Sequence, residues 1–297
     1  MPISNQRRHD VSRMHGRRPT VSVVIPTLNE ARNIPHVFAA LPADVDEVII
    51  VDGQSVDDTV AVARALRPDV RVVHQTRTGK GNALACGFAA AKSDIIVMMD
   101  ADCSTDPREI PRFVGTLLHG ADFAKGSRFA SGGGSGDITR FRRWGNRALN
   151  GLVNFCYGTR YTDLCYGFNA FWRSCLPYLD LDAGASGSEP VWGDGFEIET
   201  LINIRMARAG VRIFEVPSYE QPRLHGASNL RAFSDGLRVL RTVTTERRAG
   251  RARAAAIDST AYGRGNRGNV IHLDGPAHSH DNHPAKDEQV RDLEGVS

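Results

Sequence analysis

The chain has 297 residues, 41% hydrophobic and 24% charged, with a formal net charge of only +3. That is enough chain for one large α/β domain or two small ones, with no global pull toward nucleic acid. Five cysteines (Cys86, Cys103, Cys156, Cys165, Cys175) are odd in number and lack CxxC spacing, so they read as reduced thiols and exclude a disulfide framework or a zinc site.

The first 19 residues carry Arg7, Arg8, Arg13, Arg17 and Arg18 with no apolar segment behind them, which predicts a disordered basic arm and not an export signal. No run of about 18 apolar residues follows anywhere, so no helix is expected to span a membrane and the protein is expected in the cytoplasm. Val21–Pro26 reads as a strand stopped by proline. Thr27–Glu30 is a polar loop feeding a helix to about Leu41. Glu47–Asp52 is a second buried strand ending on an acid. Asp57 can cap a helix over Thr59–Leu66. Val70–His74 is a short third strand, and Gly79-Lys80-Gly81-Asn82 opens a helix over Ala83–Ala91.

Ile95–Met99 is an unbroken apolar run, as expected of a central parallel strand covered on both faces. It stops at Asp100-Ala101-Asp102. Residues two apart on an extended chain face the same way, so both carboxylates can address one cation. Their hard oxygens suit Mg²⁺ or Mn²⁺, which commonly bridge carboxylates to substrate phosphates. Asp106 and Pro107 read as the cap and first residue of the next helix. Strand–helix alternation at this spacing predicts a parallel, right-handed βαβ sheet.

Beyond residue 120 the spacing predicts a strand over Ala121–Lys125 and a flexible loop over 131–136. A helix is predicted over Thr139–Phe155 and a strand over Gly167–Trp172. An acidic Gly/Ser-rich loop at 180–193 precedes a helix over Phe196–Ala209 and a strand over Val211–Val216. The last helix, Leu230–Arg247, puts Leu230, Phe233, Leu237, Leu240 and Val243 at helical spacing among arginines. Such a basic amphipathic helix can lie on an anionic membrane or pack on the domain. One domain is therefore expected over 20–248, followed by a disordered polar tail over 249–297 too poor in large apolar groups to bury a core. His272, His278, His280 and His283 in that tail read as solvated.

Thr27-Asn29-Glu30, Asp52 and Asp100/Asp102 all fall at the carboxyl ends of predicted strands, where a nucleotide lies in an open α/β sheet. No GxGxxG or GxxxxGK[ST] run occurs, so neither a dinucleotide fold nor a P-loop NTPase is supported.

The order of Val-Ile-Pro-Thr-Leu-Asn-Glu, Ile-Ile-Val-Asp-Gly-Gln-Ser, Gly-Lys-Gly-Asn-Ala and Met-Asp-Ala-Asp resembles the family 2 glycosyltransferases. Gly126–Phe129, Asp163–Phe171, Glu215-Val216-Pro217 and Arg223–Ser228 resemble their dolichol- or polyprenyl-phosphate sugar synthase branch. The resemblance spans about residues 20–245. It implies a GT-A fold with a mostly parallel central sheet, a GDP- or UDP-sugar donor, Mg²⁺ or Mn²⁺, inversion at the anomeric carbon and a polyprenyl phosphate acceptor at the membrane surface. Carried over, the donor site comprises Pro26, Thr27, Asn29, Glu30, Asp52, Lys80, Asp100, Ala101, Arg128 and Arg142, with Asp100 and Asp102 on the metal. Asp102, Arg223, Glu197 and Asp194 are the residues expected to serve catalysis. The arginines match phosphate-binding positions, although Arg142 and Arg143 are not separable. A hydroxyl acceptor would need a general base, for which Glu197 and Asp194 are the candidates, whereas a lipid phosphate needs none. Three positions depart from the pattern: Gly53-Gln54 where Asp-Gly is common, Ser104 for glutamine, and Asn229 for lysine. Rival readings are a hydroxyl acceptor on a saccharide or small metabolite, a nucleotidyltransferase, and a non-catalytic nucleotide-sugar-binding module.

Overall fold

The structure, a computed structural model, describes residues 17–136, 138–184, 189–226, 238–249 and 270–272, with residues 140–142 and 270–272 described by backbone alone. The arm before residue 17, the Arg142 side chain, Asn229, the first part of the predicted last helix and most of the tail lie outside these residues. The first strands and helices follow the sequence closely: β1 (Val21–Thr27), α1 (Ile34–Ala40), β2 (Glu47–Asp52), α2 (Thr59–Leu66) and β3 (Arg71–His74). Asp57 accepts from the Thr59 amide at 3.1 Å, satisfying one orphan donor at the start of α2.

Next come α3 (Lys80–Ala90), β4 (Ile95–Met98), α4 (Ile110–Leu118) and β5 (Phe123–Ser127). A single 3-10 turn, Pro107–Glu109, leads into α4, and Asp106 accepts from the Arg108 amide at 3.0 Å as its cap. The second half adds β6 (Gly134–Ser135), α5 (Arg140–Tyr157), β7 (Asn169–Trp172), α6 (Leu176–Leu179) and α7 (Ile198–Arg208). The chain closes with β8 (Ile213–Pro217), β9 (Tyr219–Glu220), a helix α8 over 238–249, and β10 (Val270–His272).

Eight strands form one sheet in the order β10-β8-β5-β7-β4-β1-β2-β3. All its neighbours run parallel except β7, which is antiparallel to both β4 and β5. The apolar runs of β1, β2 and β4 are buried almost without exception, as strands covered on both faces require. Helix α3 packs over β1, β2 and β3. Its small residues allow this: a Cβ on Gly87 would come within 2.3 Å of Val24 Cγ1 and 2.8 Å of Val51 Cγ2. Among the described residues no helix is long and apolar enough to cross a membrane.

Two expectations from the sequence do not survive. The glycine-rich stretch at 131–136 is strapped down and not a free loop. Gly134–Ser135 pairs with β9 in a two-stranded sheet, with Gly134 and Gly136 amides donating to Ser218 and Glu220 carbonyls. Glycines suit this site because little but backbone fits there: a Cβ on Gly133 would meet the Ser127 carbonyl oxygen at 2.5 Å. Within the polar tail, Val270–His272 lines up parallel to β8 and becomes the sheet's edge. Its Val-Ile pair has the β propensity that the surrounding composition hides.

Candidate active site

The ends of β1, β2 and β3 lie side by side, with Thr27 in register with Asp52 and Asp52 with His74. Beyond them the loop at 28–31 is laced to the loop at 53–59. Asn29 adopts φ 59°, a left-handed conformation that asparagine tolerates better than most residues. Its Oδ1 accepts from the Val56 amide at 2.8 Å, and its own amide donates to Ser55 Oγ at 2.9 Å. The Glu30 amide donates to Thr59 Oγ1 and the Ala31 amide to Asp57. Asn29, expected to touch the donor, therefore braces the loop that shapes the pocket. Asp52 accepts from the Gln54 amide at 3.1 Å and the Ser55 amide at 3.3 Å. Two amides leave a carboxylate with acceptor capacity for a ligand.

Strand β4 ends at Met98, before the acids. Asp100, Ala101 and Asp102 lie in a bend closed by Cys103 at φ 63°, so the two-residue period that would point both carboxylates the same way does not apply. Each acid instead has its own cation. Asp100 Oδ1 lies 2.6 Å from Lys80 Nζ, which is also 2.6 Å from Glu199 Oε1. Burial pulls the Lys80 pKa down, but the charges of Asp100 and Glu199 outweigh it and hold the ammonium firmly protonated. Asp102 Oδ1 accepts from the Ser104 amide at 3.0 Å, and Asp102 Oδ2 lies 3.1 Å from Arg223 Nε.

The 221–225 segment delivers Arg223 by docking on the bend. The Gln221 amide donates to the Ser104 carbonyl, the Leu224 amide to the Asp102 carbonyl, and Asn33 Nδ2 to the His225 carbonyl. Asn33 Nδ2 also donates to Glu30 Oε2 at 2.5 Å. Burial pushes the Glu30 pKa up against that bond, and the negative charge of Asp102 adds to the rise while Arg223 opposes it. Glu30, Asp100, Asp102, Lys80 and Arg223 thus form one electrostatic unit at the strand ends. The two aspartates offer the hard oxygens a divalent ion takes. Among the described residues no group of three or more His, Cys, Asp or Glu can hold an ion, so diphosphate oxygens and water would complete its sphere, as is usual for Mg²⁺.

The two candidate bases are both buried, and they are engaged to different degrees. Both oxygens of Asp194 face Arg77, at 2.8 Å from Nε and 3.0 Å from Nη2, and the pair is almost fully buried. A carboxylate held this way is a structural lock and not a base. Glu197 Oε1 accepts from the Gly193 and Gly195 amides, both at 3.2 Å, and so folds the turn before α7.

Arg128, expected on the donor phosphates, is also committed. Its Nε and Nη2 donate to Asp163 at 2.7 and 3.0 Å, and its Nη1 to Glu220 at 3.0 Å. Its guanidinium lies 5.0 Å from the Tyr166 ring centroid. Burial disfavours the Asp163 charge, but Arg128 and Lys125 more than offset it and lower its pKa. From sequence, Asp163 enters only within a family motif, and Arg77, Glu199 and Glu220 carry no assigned role. The one available signal was that Arg77 stands just ahead of Gly-Lys-Gly and the 180–194 loop is acidic.

Residues 22–178 match the sequence model of a family described as Glycosyl transferase family 2. The chain is 34% identical over 206 residues to an undecaprenyl-phosphate mannosyltransferase from Micrococcus luteus, across 66% of this chain and 82% of that protein. It is 32% identical over 231 residues to a polyprenol monophosphomannose synthase from Mycolicibacterium smegmatis, across 72% and 82% respectively. Among solved structures, glucosyl-3-phosphoglycerate synthase from Mycobacterium tuberculosis, in complex with Mn²⁺, UDP-glucose and phosphoglyceric acid, aligns with a TM-score of 0.59. The match has 26% identity and covers 77% of this chain and 80% of that one.

Proposed function

The chain belongs to glycosyl transferase family 2, and from that premise we propose that it moves a hexosyl unit from a GDP- or UDP-sugar to a polyprenyl phosphate. The nucleoside sits against Thr27, the Glu30 loop and Asp52, with its diphosphate reaching toward Asp100, Asp102, Lys80 and Arg223. An oxygen of the acceptor phosphate forms the new bond to the anomeric carbon from the face opposite the leaving group. The bond to the diphosphate breaks, the configuration inverts, and the nucleoside diphosphate departs. Asp100 and Asp102 would hold a divalent ion, Mg²⁺ or Mn²⁺, whose charge offsets that of the leaving diphosphate. Lys80 and Arg223 add fixed positive charge in the same place, so catalysis is chiefly positioning and electrostatics.

The observation that carries the acceptor assignment is that both candidate bases are buried and held: both oxygens of Asp194 face Arg77, and Glu197 Oε1 accepts from two backbone amides. A hydroxyl acceptor has to lose a proton to a base within hydrogen-bond reach. A phosphate acceptor is already an anion. The names of the Micrococcus luteus and Mycolicibacterium smegmatis relatives support the same reading, and on it the chemistry occurs at the cytoplasmic face of a membrane. The likeness to a synthase solved with phosphoglyceric acid keeps a small hydroxylated acid as the rival acceptor. The test is a screen of radiolabelled GDP- and UDP-sugars with Mn²⁺ and bacterial membranes. Label in an organic-extractable, mild-acid-labile lipid supports the proposal. Donor turnover with all label left in water-soluble products refutes the lipid acceptor.

A further inference from the structure

The five N–H donors of the Arg77 guanidinium all have acceptors, and its side chain is 1% exposed. Nε and Nη2 hold the two oxygens of Asp194. Nη2 also donates to the Asp182 carbonyl at 2.7 Å, while Nη1 donates to the Gly184 carbonyl at 2.5 Å and to Asp182 Oδ2 at 3.4 Å. One buried cation therefore holds Asp182, Gly184 and Asp194 together. Its own backbone is fixed too: Asn82, fully buried, accepts from the Thr76 and Arg77 amides at 2.9 and 2.8 Å.

The same pair controls the start of α3. The Asp194 carbonyl accepts from the Gly81 amide at 2.7 Å and the Asn82 amide at 3.4 Å, satisfying donors that a helix start otherwise leaves unpaired. The two backbones touch closely, since a Cβ on Gly79 would lie 2.1 Å from the Asp194 carbonyl oxygen and one on Gly81 1.8 Å from that of Gly193. Gly79 also adopts φ 135°, which side-chain-bearing residues rarely do. Lys80 lies between these glycines. Its partner Glu199 lies in the first turn of α7, a few residues past Asp194.

We infer that Arg77 is a positioning residue: through Asp194 and the backbone of Gly79–Gly81 it fixes Lys80 between Asp100 and Glu199. Loss of the clamp frees α3's first turn from the Gly193–Asp194 backbone while the sheet stays intact. The inference rests on the glycosyl-transfer reading only for its kinetic consequence, which is a fall in kcat of about 100-fold for a group displaced by about 1 Å.

The test compares wild type, Arg77→Lys and Asp194→Asn by brief labelling with an amine-reactive acylating reagent and peptide mass spectrometry. Lys92 is exposed and Lys125 fully buried, so they report reagent strength and global unfolding. In both variants Lys80 labelling is expected to rise about tenfold, the signature of local opening, while Lys125 stays protected. Guanidinium ion at low millimolar concentration is expected to restore Lys80 protection in Arg77→Ala, and if that variant does not fold the rise in Lys80 labelling in Asp194→Asn decides. Unchanged Lys80 labelling, or Lys80 and Lys125 rising together, overturns the inference. Because labelling needs no turnover, it stands apart from the donor screen: an inactive wild type refutes the transferase reading alone. With an active wild type, normal kcat in folded Arg77→Lys refutes the clamp's catalytic role.

Discussion

Lys80→Met is the sharpest single perturbation of the site. The ammonium lies 2.6 Å from an oxygen of Asp100 and 2.6 Å from one of Glu199. Removing it leaves two carboxylates within about 5 Å and no cation between them, a repulsion of about 3 kcal/mol at an effective dielectric of 20. Breaking a buried pair typically costs about 3–5 kcal/mol. Asp100 is 28% exposed on its side chain while Glu199 is 8% exposed, so water screens one partner and the lower end applies. The loss has a pH signature. In the variant the repulsion exists only while both acids are charged, so the loss is small in acid and grows as pH rises. The Lys80 contribution in the wild type is likewise lost as pH rises, but its raised pKa keeps it present until strong alkali. Urea unfolding at pH 4.5 and pH 8 is therefore expected to show a small gap between wild type and Lys80→Met at the lower pH. At the higher pH the gap widens by about 3 kcal/mol, the repulsion worked above. Adding Glu199→Gln to Lys80→Met is expected to recover most of it, as coupled neighbours do. A gap of equal size at both pH values, or a second loss in the double variant, refutes the reasoning.

Asp102→Ala is expected to abolish Mn²⁺-dependent nucleotide binding without unfolding the chain, and unchanged nucleotide affinity by titration calorimetry in Mn²⁺ sinks the metal assignment. Glu30→Gln is expected to gain stability over the wild type as pH rises. Burial lifts the Glu30 pKa, so the wild type loses that contribution on ionising, and thermal unfolding at pH 4.5 and pH 8 reads the difference. Arg128→Met leaves the buried Asp163 without its salt-bridge partner, facing only the residue-128 amide, Asn146 and the charge of Lys125, a cost of about 3 kcal/mol by urea titration. A loss of donor affinity with no loss of stability instead returns Arg128 to the phosphates.

The N-terminal half was legible because its signals are local. Apolar runs in β1, β2 and β4 and the caps of α2 and α4 need only a window of neighbours to be read, and their positions follow from period and capping alone. The reversed strand β7 was legible as a strand but not in direction, which depends on a partner more than seventy residues away in β4. Strand β10 was hidden for the reverse reason, as three residues with β propensity in a stretch whose composition argues for disorder.

The site followed the same division, and the misreadings have one cause. Residue type and motif order found Asp100, Asp102, Lys80, Arg223 and Glu30, which do assemble at the strand ends. What they could not reveal is that an acid or arginine near a site has often already been spent on another charge. Asp194 and Arg77 are 117 residues apart, and Arg128 and Glu220 are 92 apart. Before those pairs are seen, all four look available for chemistry. Once paired, Asp194 has both oxygens on Arg77, and Arg128 contributes through the loops it ties together. The electrostatics of the pocket therefore rest on two cations, Lys80 and Arg223, facing the two aspartates, and the remaining charges act by holding those four in place.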